Sequence, residues 1–542
     1  AIIINIIDVK QLEQILPTVS RPGRYLGNEW NVIKKDLDKA EVRFCLAFPD
    51  IYDIGMSYLG FRIIYGALNS REEVACERVF APWFDFEQKL RENKIPLFSL
   101  ESKAPLKEFD IIGFSLTYEL NYTNVLNMLD LAGIPLRSKD RGEAFPLIIA
   151  GGPAAYNPAP MSEFIDAFII GEGEEVVLEI VDAYKRVKEL NSCVMPAKAG
   201  IQKKVVMDSR LRGNDRELLL KELANIEGIY VPKFPKEVKK RIVKDLDAAF
   251  YPTKDLVPYV QVIHDRITLE IMRGCPYSCS FCQASSFHRP VRLRSQEKIL
   301  GLAKEVYRST GHDEISLLSL SSSSYPDVAG LISKLVDEFK GLGVGVSLPS
   351  LRSDDILKSL PSLIVKVRKA GLTFAIEAGT ERLRRHINKN IDTDKTILAC
   401  GEAFSLGWRL VKFYFMIGLP TETYEDLDAI VDFLKKVLAL KNNIEISVSV
   451  TAFIPKYGTA FENERMDSVE ALSEKQKFLR DRFRDKRVKW KFHDARVSFV
   501  EGRLSRPDTN LSGDIYTAWQ KGARLQGWRE FFNFEIWRGL TI

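Results

Sequence analysis

Between residues 260 and 455, six nearly continuous apolar runs alternate with amphipathic helical stretches, and this regular alternation narrows the fold more than any other feature of the chain. The runs are 267–274 (ITLEIMRG), 314–320, 344–350, 372–379, 409–418 and 444–455. Helical periodicity fills 295–309, 327–340, 353–369, 393–405 and 423–440. A strand that is apolar along its whole length is buried on both faces, which demands a parallel sheet covered by helices. Six such units in βα order predict a partial (β/α)6 barrel, with its site at the carboxyl ends of the strands.

A less regular alternation precedes it. Runs at 41–50, 110–117, 145–152 and 164–171 read as buried parallel strands, and 123–133 and 174–190 read as helices, predicting a doubly wound, Rossmann-like α/β domain. Glycines close these strands at 113, 151–152, 171 and 173, either as tight turns or as places where backbone approaches a ligand. The expected organisation is a 1–40 extension, the α/β domain at 41–190, and an inserted flexible loop at 191–217. A linker at 218–254, the barrel at 255–460 and a small α+β segment at 461–542 complete it. The abrupt end at Ile542 suggests truncation there.

With 542 residues, 78 Lys+Arg against 73 Asp+Glu, 46% hydrophobic and 28% charged residues, the chain has a globular balance that excludes disordered and fibrous classes. A net charge of +5 is too mild to imply a nucleic-acid partner by itself. No apolar run approaches the roughly 18–20 residues of a membrane helix, and the opening AIIINII lacks the flanks of a secretory signal. The expectation is a cytoplasmic protein without membrane contact.

Three of the seven cysteines, Cys275, Cys279 and Cys282, fall within eight residues directly after the first barrel run. Thiolates suit zinc and iron–sulfur centres, and a short spacing lets one loop deliver several sulfurs to one centre. Structural zinc takes four ligands, usually from paired CxxC units, so three cysteines argue for a centre with an open position. His288 is better read as a loop or core histidine than as a fourth ligand. Cys400, in a helical stretch, reads as a packed apolar residue.

CxxxCxΦC on this loop resembles the motif of the radical S-adenosylmethionine (radical SAM) enzymes. The resemblance covers roughly 255–460 and implies a [4Fe–4S] cluster on Cys275, Cys279 and Cys282, with S-adenosylmethionine at the iron left free. It also implies reductive cleavage to a 5′-deoxyadenosyl radical that abstracts hydrogen from an unknown substrate, and a low-potential flavodoxin or ferredoxin as electron donor. Phe281 belongs to the motif. Ser322 and Ser323 stand where the family contacts the methionine moiety, Arg352 where a guanidinium could pair with its carboxylate, and Glu377, beside Gly379, where the family bonds the ribose or amino group. Ile417, Gly418 and Pro420 resemble its adenine-binding stretch. No residue is assigned to the chemical step on substrate.

The first domain resembles the cobalamin-binding-like domain fused to many such enzymes, through GFSL (113–116), AGG (150–152) and GEGEE (171–175). Its cobalt-ligating DxHxxG is unmatched, because Gly55 stands at the histidine position after Asp53 and no histidine precedes His264. Cobalamin without a protein ligand stays open, although a fold kept for substrate or partner contact is favoured. Two alternatives accompany this reading. One is a methylthiotransferase-like RNA-modifying enzyme, which would need three more cluster cysteines upstream. The other is a non-catalytic iron–sulfur or zinc module that binds a partner, or RNA through the basic run between Lys475 and Lys491, whose interspersed acids also fit a solvated helix face.

Overall fold

The computed structural model describes residues 7–192, 215–347, 352 and 372–540. They form two compact units, one built from residues up to 244 with 248–265 and the segment from 507, the other from 245–247 with 266–506.

The first unit is a six-stranded sheet in the order β2-β1-β3-β4-β5-β6. Its strands are β1 Val42–Phe48, β2 Val74–Phe80, β3 Ile111–Ser115, β4 Leu147–Gly151, β5 Ala167–Ile169 and β6 Ile229–Tyr230. All pairs are parallel except β5–β6. Helices Tyr122–Leu131 and Gly173–Ser192 lie where the periodicity places them.

Strand β2 is absent from the sequence reading because Glu77 and Arg78 interrupt its apolar run. The fold buries both and satisfies them internally. Arg78 donates to Glu29 at 2.8 Å and to Glu101 at 2.6 Å, and the Ser102 hydroxyl donates to Glu77 at 2.7 Å. A buried charge is tolerated only when paired in this way.

The expected linker at 218–254 is corrected. Helix Asp215–Ala224 packs on Gly173–Ser192, and β6 closes the sheet edge. Residues 7–40 of the expected extension are joined to the first unit, with Arg24 bound to Asp53 at 2.6 Å and Glu29 to Arg78. Residues 193–214 of the expected loop, with Cys193, lie outside the described residues, as do 348–350 and the expected helix at 353–369.

Asp110, before β3, is fully buried, accepting from the Arg43 backbone N–H at 2.8 Å and from the Tyr184 hydroxyl at 2.9 Å. Burial outweighs these donors and pushes its carboxyl up to about 6. A carboxyl with a raised folded pKa binds its proton more tightly in the native state, so stability falls as pH rises from the unfolded value through about 6. The urea midpoint of the first unit is therefore expected to be higher at pH 5 than at pH 7. Asp110→Asn should flatten that difference, which is on the order of 1 kcal/mol between these two pH values, and an unchanged pH dependence in the variant would refute the assignment.

The second unit carries β7 Ile267–Glu270, β8 Met272–Arg273, β9 Arg292–Leu293, β10 Glu314–Leu318, β11 Gly345–Ser347, β12 Leu372–Glu377, β13 Leu410–Ile417, β14 Glu445–Ala452 and β15 Val488–Phe492. Parallel sheets β11-β10-β7 and β12-β13-β14-β15 make the partial barrel, and β8 and β9 form a small antiparallel pair. All six anticipated strands are present, alternating with helices Gln296–Thr310, Val328–Glu338, Thr393–Ser405 and Tyr424–Ala439.

The separate α+β segment expected from 461 is corrected too. Strand β15 pairs in parallel with β14, Ile446 opposite Val488, and extends the barrel sheet by a seventh strand. The chain from 507 folds with the first unit instead.

Candidate active site

Where β8 ends, Gly274 adopts φ +88°, and a Cβ there would stand 2.7 Å from the Pro290 carbonyl oxygen and 2.8 Å from that of His288. Only glycine lets the chain turn here so close to the returning strand. The turn launches the loop carrying Cys275, Cys279 and Cys282, all free thiols of intermediate exposure. The Cys282 backbone N–H donates to Cys279 O at 3.1 Å, and the Cys282 Sγ accepts from the Ser285 N–H at 3.4 Å, capping helix Gln283–Phe287.

Loops from two other strand ends anchor this loop. After β12, the Ser280 N–H donates to Ile387 O at 3.0 Å and the Asn388 side chain donates to Ser278 O at 2.8 Å. After β14, the Phe461 N–H donates to Ser280 O at 3.2 Å, Gln283 Nε2 to Tyr457 O at 3.1 Å and the Ser286 hydroxyl to Gly458 O at 2.6 Å. Phe281 packs against the apolar cluster of Ala378, Leu383, Ile387, Leu419, Phe453 and Phe461. The thiol loop is thus held from beneath by an apolar residue and from both sides by backbone hydrogen bonds.

Cations surround it. The Arg352 guanidinium lies 3.9 Å from the Tyr277 ring centroid and donates to Asn390 O at 2.5 Å, while the Arg352 backbone N–H donates to the Ser323 hydroxyl at 3.1 Å. Lys389 pairs with Glu377 at 2.7 Å and stands 5.9 Å from the Phe281 ring centroid. Burial pushes the Cys275 thiol up against the opposing charges of Arg289 and Arg352, and pushes Cys279 up to about 11 against that of Lys389. Glu377 sits at a β-bulge with φ +69°, a backbone state that L residues rarely adopt and that re-aims a side chain at a strand end.

Sequence reasoning missed Lys389, which lies with Asn388 and Asn390 in the loop after helix Glu381–His386. All three touch the thiol loop, Glu377 or Arg352, and the Asn-Lys-Asn turn composition was the only signal.

The other anticipated residues are placed as follows. Ser322 is fully buried, its hydroxyl 3.0 Å from that of Ser319 after β10. Ile417 is packed in the barrel core, leaving only its backbone for a ligand. The Gly418 N–H donates to Glu422 at 2.8 Å, and Lys475 pairs with both Glu422 and Asp467, at 2.7 and 2.8 Å, tying down the turn that includes Pro420. Gly379 faces a helix: a Cβ there would lie 2.1 Å from the Asp426 carbonyl oxygen. His288 ends helix Gln283–Phe287 and meets the Phe287 ring edge-on at 4.8 Å. Cys400 is fully buried among apolar residues, and burial pushes its thiol up to about 12.

Much of the basic run between Lys475 and Lys491 is paired with carboxylates. Arg482 meets Asp428, Arg484 meets Asp481, Arg487 meets Asp485 and Lys489 meets Glu445, each within 2.8 Å. No helix among the described residues is long and apolar enough to cross a membrane.

Three thiols on one loop at the strand ends of this barrel are a donor set suited to an iron–sulfur cluster. The Radical SAM superfamily model matches residues 269–434, and the model for Radical SAM proteins, N-terminal, matches 60–203. The uncharacterized protein MJ0966 of Methanocaldococcus jannaschii is 30% identical over 428 residues, covering 78% of this chain and 84% of that protein. The uncharacterized methyltransferase PH0819 of Pyrococcus horikoshii is 24% identical over 345 residues, 61% of this chain and 66% of that one. Among solved structures, the radical S-adenosylmethionine methyltransferase TsrM of Kitasatospora setae, with cobalamin and a [4Fe–4S] cluster bound, superposes with a TM-score of 0.48 at 12% identity. That match covers 75% of this chain and 72% of TsrM. This chain belongs to the radical SAM superfamily and is an enzyme of that class, with a [4Fe–4S] cluster and S-adenosylmethionine as its cofactors.

The residues present fit the cluster. Among the described residues no three Cys, His, Asp or Glu side chains converge on a point suited to a single metal ion. A four-iron cluster does not require such a point, since each of its cysteines binds a different iron.

Proposed function

We propose that this enzyme cleaves S-adenosylmethionine reductively and directs the 5′-deoxyadenosyl radical to a hydrogen atom of its substrate. The observation that carries the reading is the thiol loop, anchored from two other strand ends and flanked by Arg352 and Lys389. Cys275, Cys279 and Cys282 would hold three irons and leave the fourth open. When bound, the cluster supplies a single low-potential electron and S-adenosylmethionine the sulfonium that accepts it.

The protein's own part is to bind and orient. Arg352 suits the methionine carboxylate, because a planar guanidinium matches a carboxylate bidentately. The hydroxyl of Ser323 suits its polar groups, with the buried Ser322 bonded to Ser319, and Glu377, aimed by its bulge and steadied by Lys389, suits the amino group or ribose. Backbone at Gly418–Pro420 would meet the adenine, held in place by Glu422 and Lys475. The electron donor proposed is a low-potential flavodoxin or ferredoxin.

Methyl transfer is a second reading, favoured by the likeness to the uncharacterized methyltransferase of Pyrococcus horikoshii. A methylthiotransferase is less well supported: Cys45 and Cys76 lie fully buried within β1 and β2, where burial pushes both thiols well up. The test is anaerobic iron–sulfide reconstitution followed by S-adenosylmethionine and a strong reductant. Equal yields of 5′-deoxyadenosine and methionine are expected from a chain with about four irons. S-adenosylhomocysteine without 5′-deoxyadenosine would replace this reading with methyl transfer, and about eight irons would revive the two-cluster alternative.

A further inference from the structure

An open α/β sheet takes its ligand at the carboxyl ends of the strands, above all at the crevice where strand order reverses. In the first unit the order β2-β1-β3-β4-β5 reverses between β1 and β3. The chain leaving β1 carries Asp50, and the chain leaving β3 carries Asn121 and Asn124.

This crevice holds part of the protein itself. The Trp528 indole N–H donates to Asp50 Oδ1 at 2.9 Å, and the Leu525 backbone N–H donates to Asn124 Oδ1 at 2.7 Å. Trp83, just beyond β2, meets the Trp528 ring edge-on at 5.3 Å and that of Phe531 at 4.8 Å. Helix Leu511–Gln520 packs on Tyr122–Leu131, and the Ser512 hydroxyl donates to Pro160 O at 2.9 Å, beyond β4. The chain segments leaving β1, β2, β3 and β4 are therefore all covered from 511–531. Leu511, Ile515, Ala518 and Ala523 are completely buried, which makes this a packed core and not a surface contact.

A corrinoid fits poorly here for a second reason. Asp53, the acid of the would-be ligand motif, is taken up by Arg21 and Arg24, each at 2.6 Å. A Cβ at Gly55, where the ligating histidine would stand, would come within 2.4 Å of the Phe80 ring and 2.9 Å of that of Phe48.

We infer that the N-terminal domain is occupied from within: residues 523–531 fill its switch-point crevice, and the chain binds no cobalamin there. The domain then works as a docking site for the chain's own carboxyl-terminal segment, latched by Trp528 on Asp50 and Leu525 on Asn124. The inference is independent of the reaction proposed for the barrel.

Two measurements on the whole 542-residue chain test it. In equilibrium dialysis against hydroxocobalamin and methylcobalamin, the wild-type protein should retain no corrinoid above a non-binding protein control. Hydrogen exchange should show 523–531 protected in the wild type, with Trp528→Ala and Asn124→Ala each raising exchange there about tenfold, the equivalent of one lost buried hydrogen bond, while β1–β4 stay unchanged. One corrinoid per wild-type chain, or exchange at 523–531 as fast in the wild type as in an unstructured peptide, would overturn it.

Discussion

Cys279→Ala is expected to lower the iron retained after reconstitution well below about four per chain and to take 5′-deoxyadenosine release below detection. The expectation follows from the ligand count. One loop carries three thiols, and among the described residues the other cysteines cannot replace a lost one. Cys45 and Cys76 are fixed inside the first sheet, and Cys400 lies in the barrel core with no exposure. Cys400→Ala is the matched control, since it removes a thiol of the same unit without touching the loop. Its iron content should equal that of the wild type, although a small cavity at a buried site costs some stability. Equal iron loss in the two variants would mean that the loop does not hold the cluster.

The second large effect is on stability. In Gly379→Ala the new methyl would lie 2.1 Å from the Asp426 carbonyl oxygen and 2.7 Å from the Ile430 nitrogen, both backbone atoms of helix Tyr424–Ala439. That helix cannot readily yield. Asp426 closes a capping box with Thr423, accepts from Arg382 at 2.5 Å and is bonded by the Thr380 hydroxyl. Overpacking of this kind costs typically 1–3 kcal/mol, and the absence of any flexible neighbour places Gly379→Ala near the top, at about 3 kcal/mol. The melting temperature of the barrel unit should fall by roughly 6–12 °C. Gly401→Ala, where the nearest atom to a new Cβ is 4.0 Å away inside helix Thr393–Ser405, should instead be neutral or gain about 0.5–1 kcal/mol from the better helix former. Calorimetry on the two variants separates the cases, and a neutral Gly379→Ala would mean that helix and strand end are less tightly joined than the structure has them.

Gly379 also marks a limit of motif reading. The family resemblance sets it among the expected cofactor contacts, yet its lack of a side chain is explained by the helix against it. Ile417 is similar, being a core residue next to a turn that is itself well placed. Motif order along the chain identifies which strand ends matter without telling which atom of each end faces the ligand.

What the sequence determined by itself is local and periodic. The βα alternation of the barrel is legible in the apolar runs and all six strands lie at them, although β7, β12 and β13 alternate buried with partly exposed residues and are not buried on both faces. The cysteine spacing likewise points to the candidate site, because three thiols on one loop need no distant partner to be brought together. Only the tertiary structure decided the rest. Strand β2 exists because Glu29 and Glu101, far along the chain, neutralise Arg78 in its middle. Strand β15 exists because β14 offers it an open edge, and Lys389 joins the site because a turn carries it to Glu377. The segment from 507 fills the first domain's crevice through Trp528 and Asp50, 478 residues apart. Apart from the twelve-residue step from Glu377 to Lys389, each depends on contacts between residues that no short window of sequence contains, and burial, once such a contact forms, reverses what composition alone would say of a charge, a short strand or a loop.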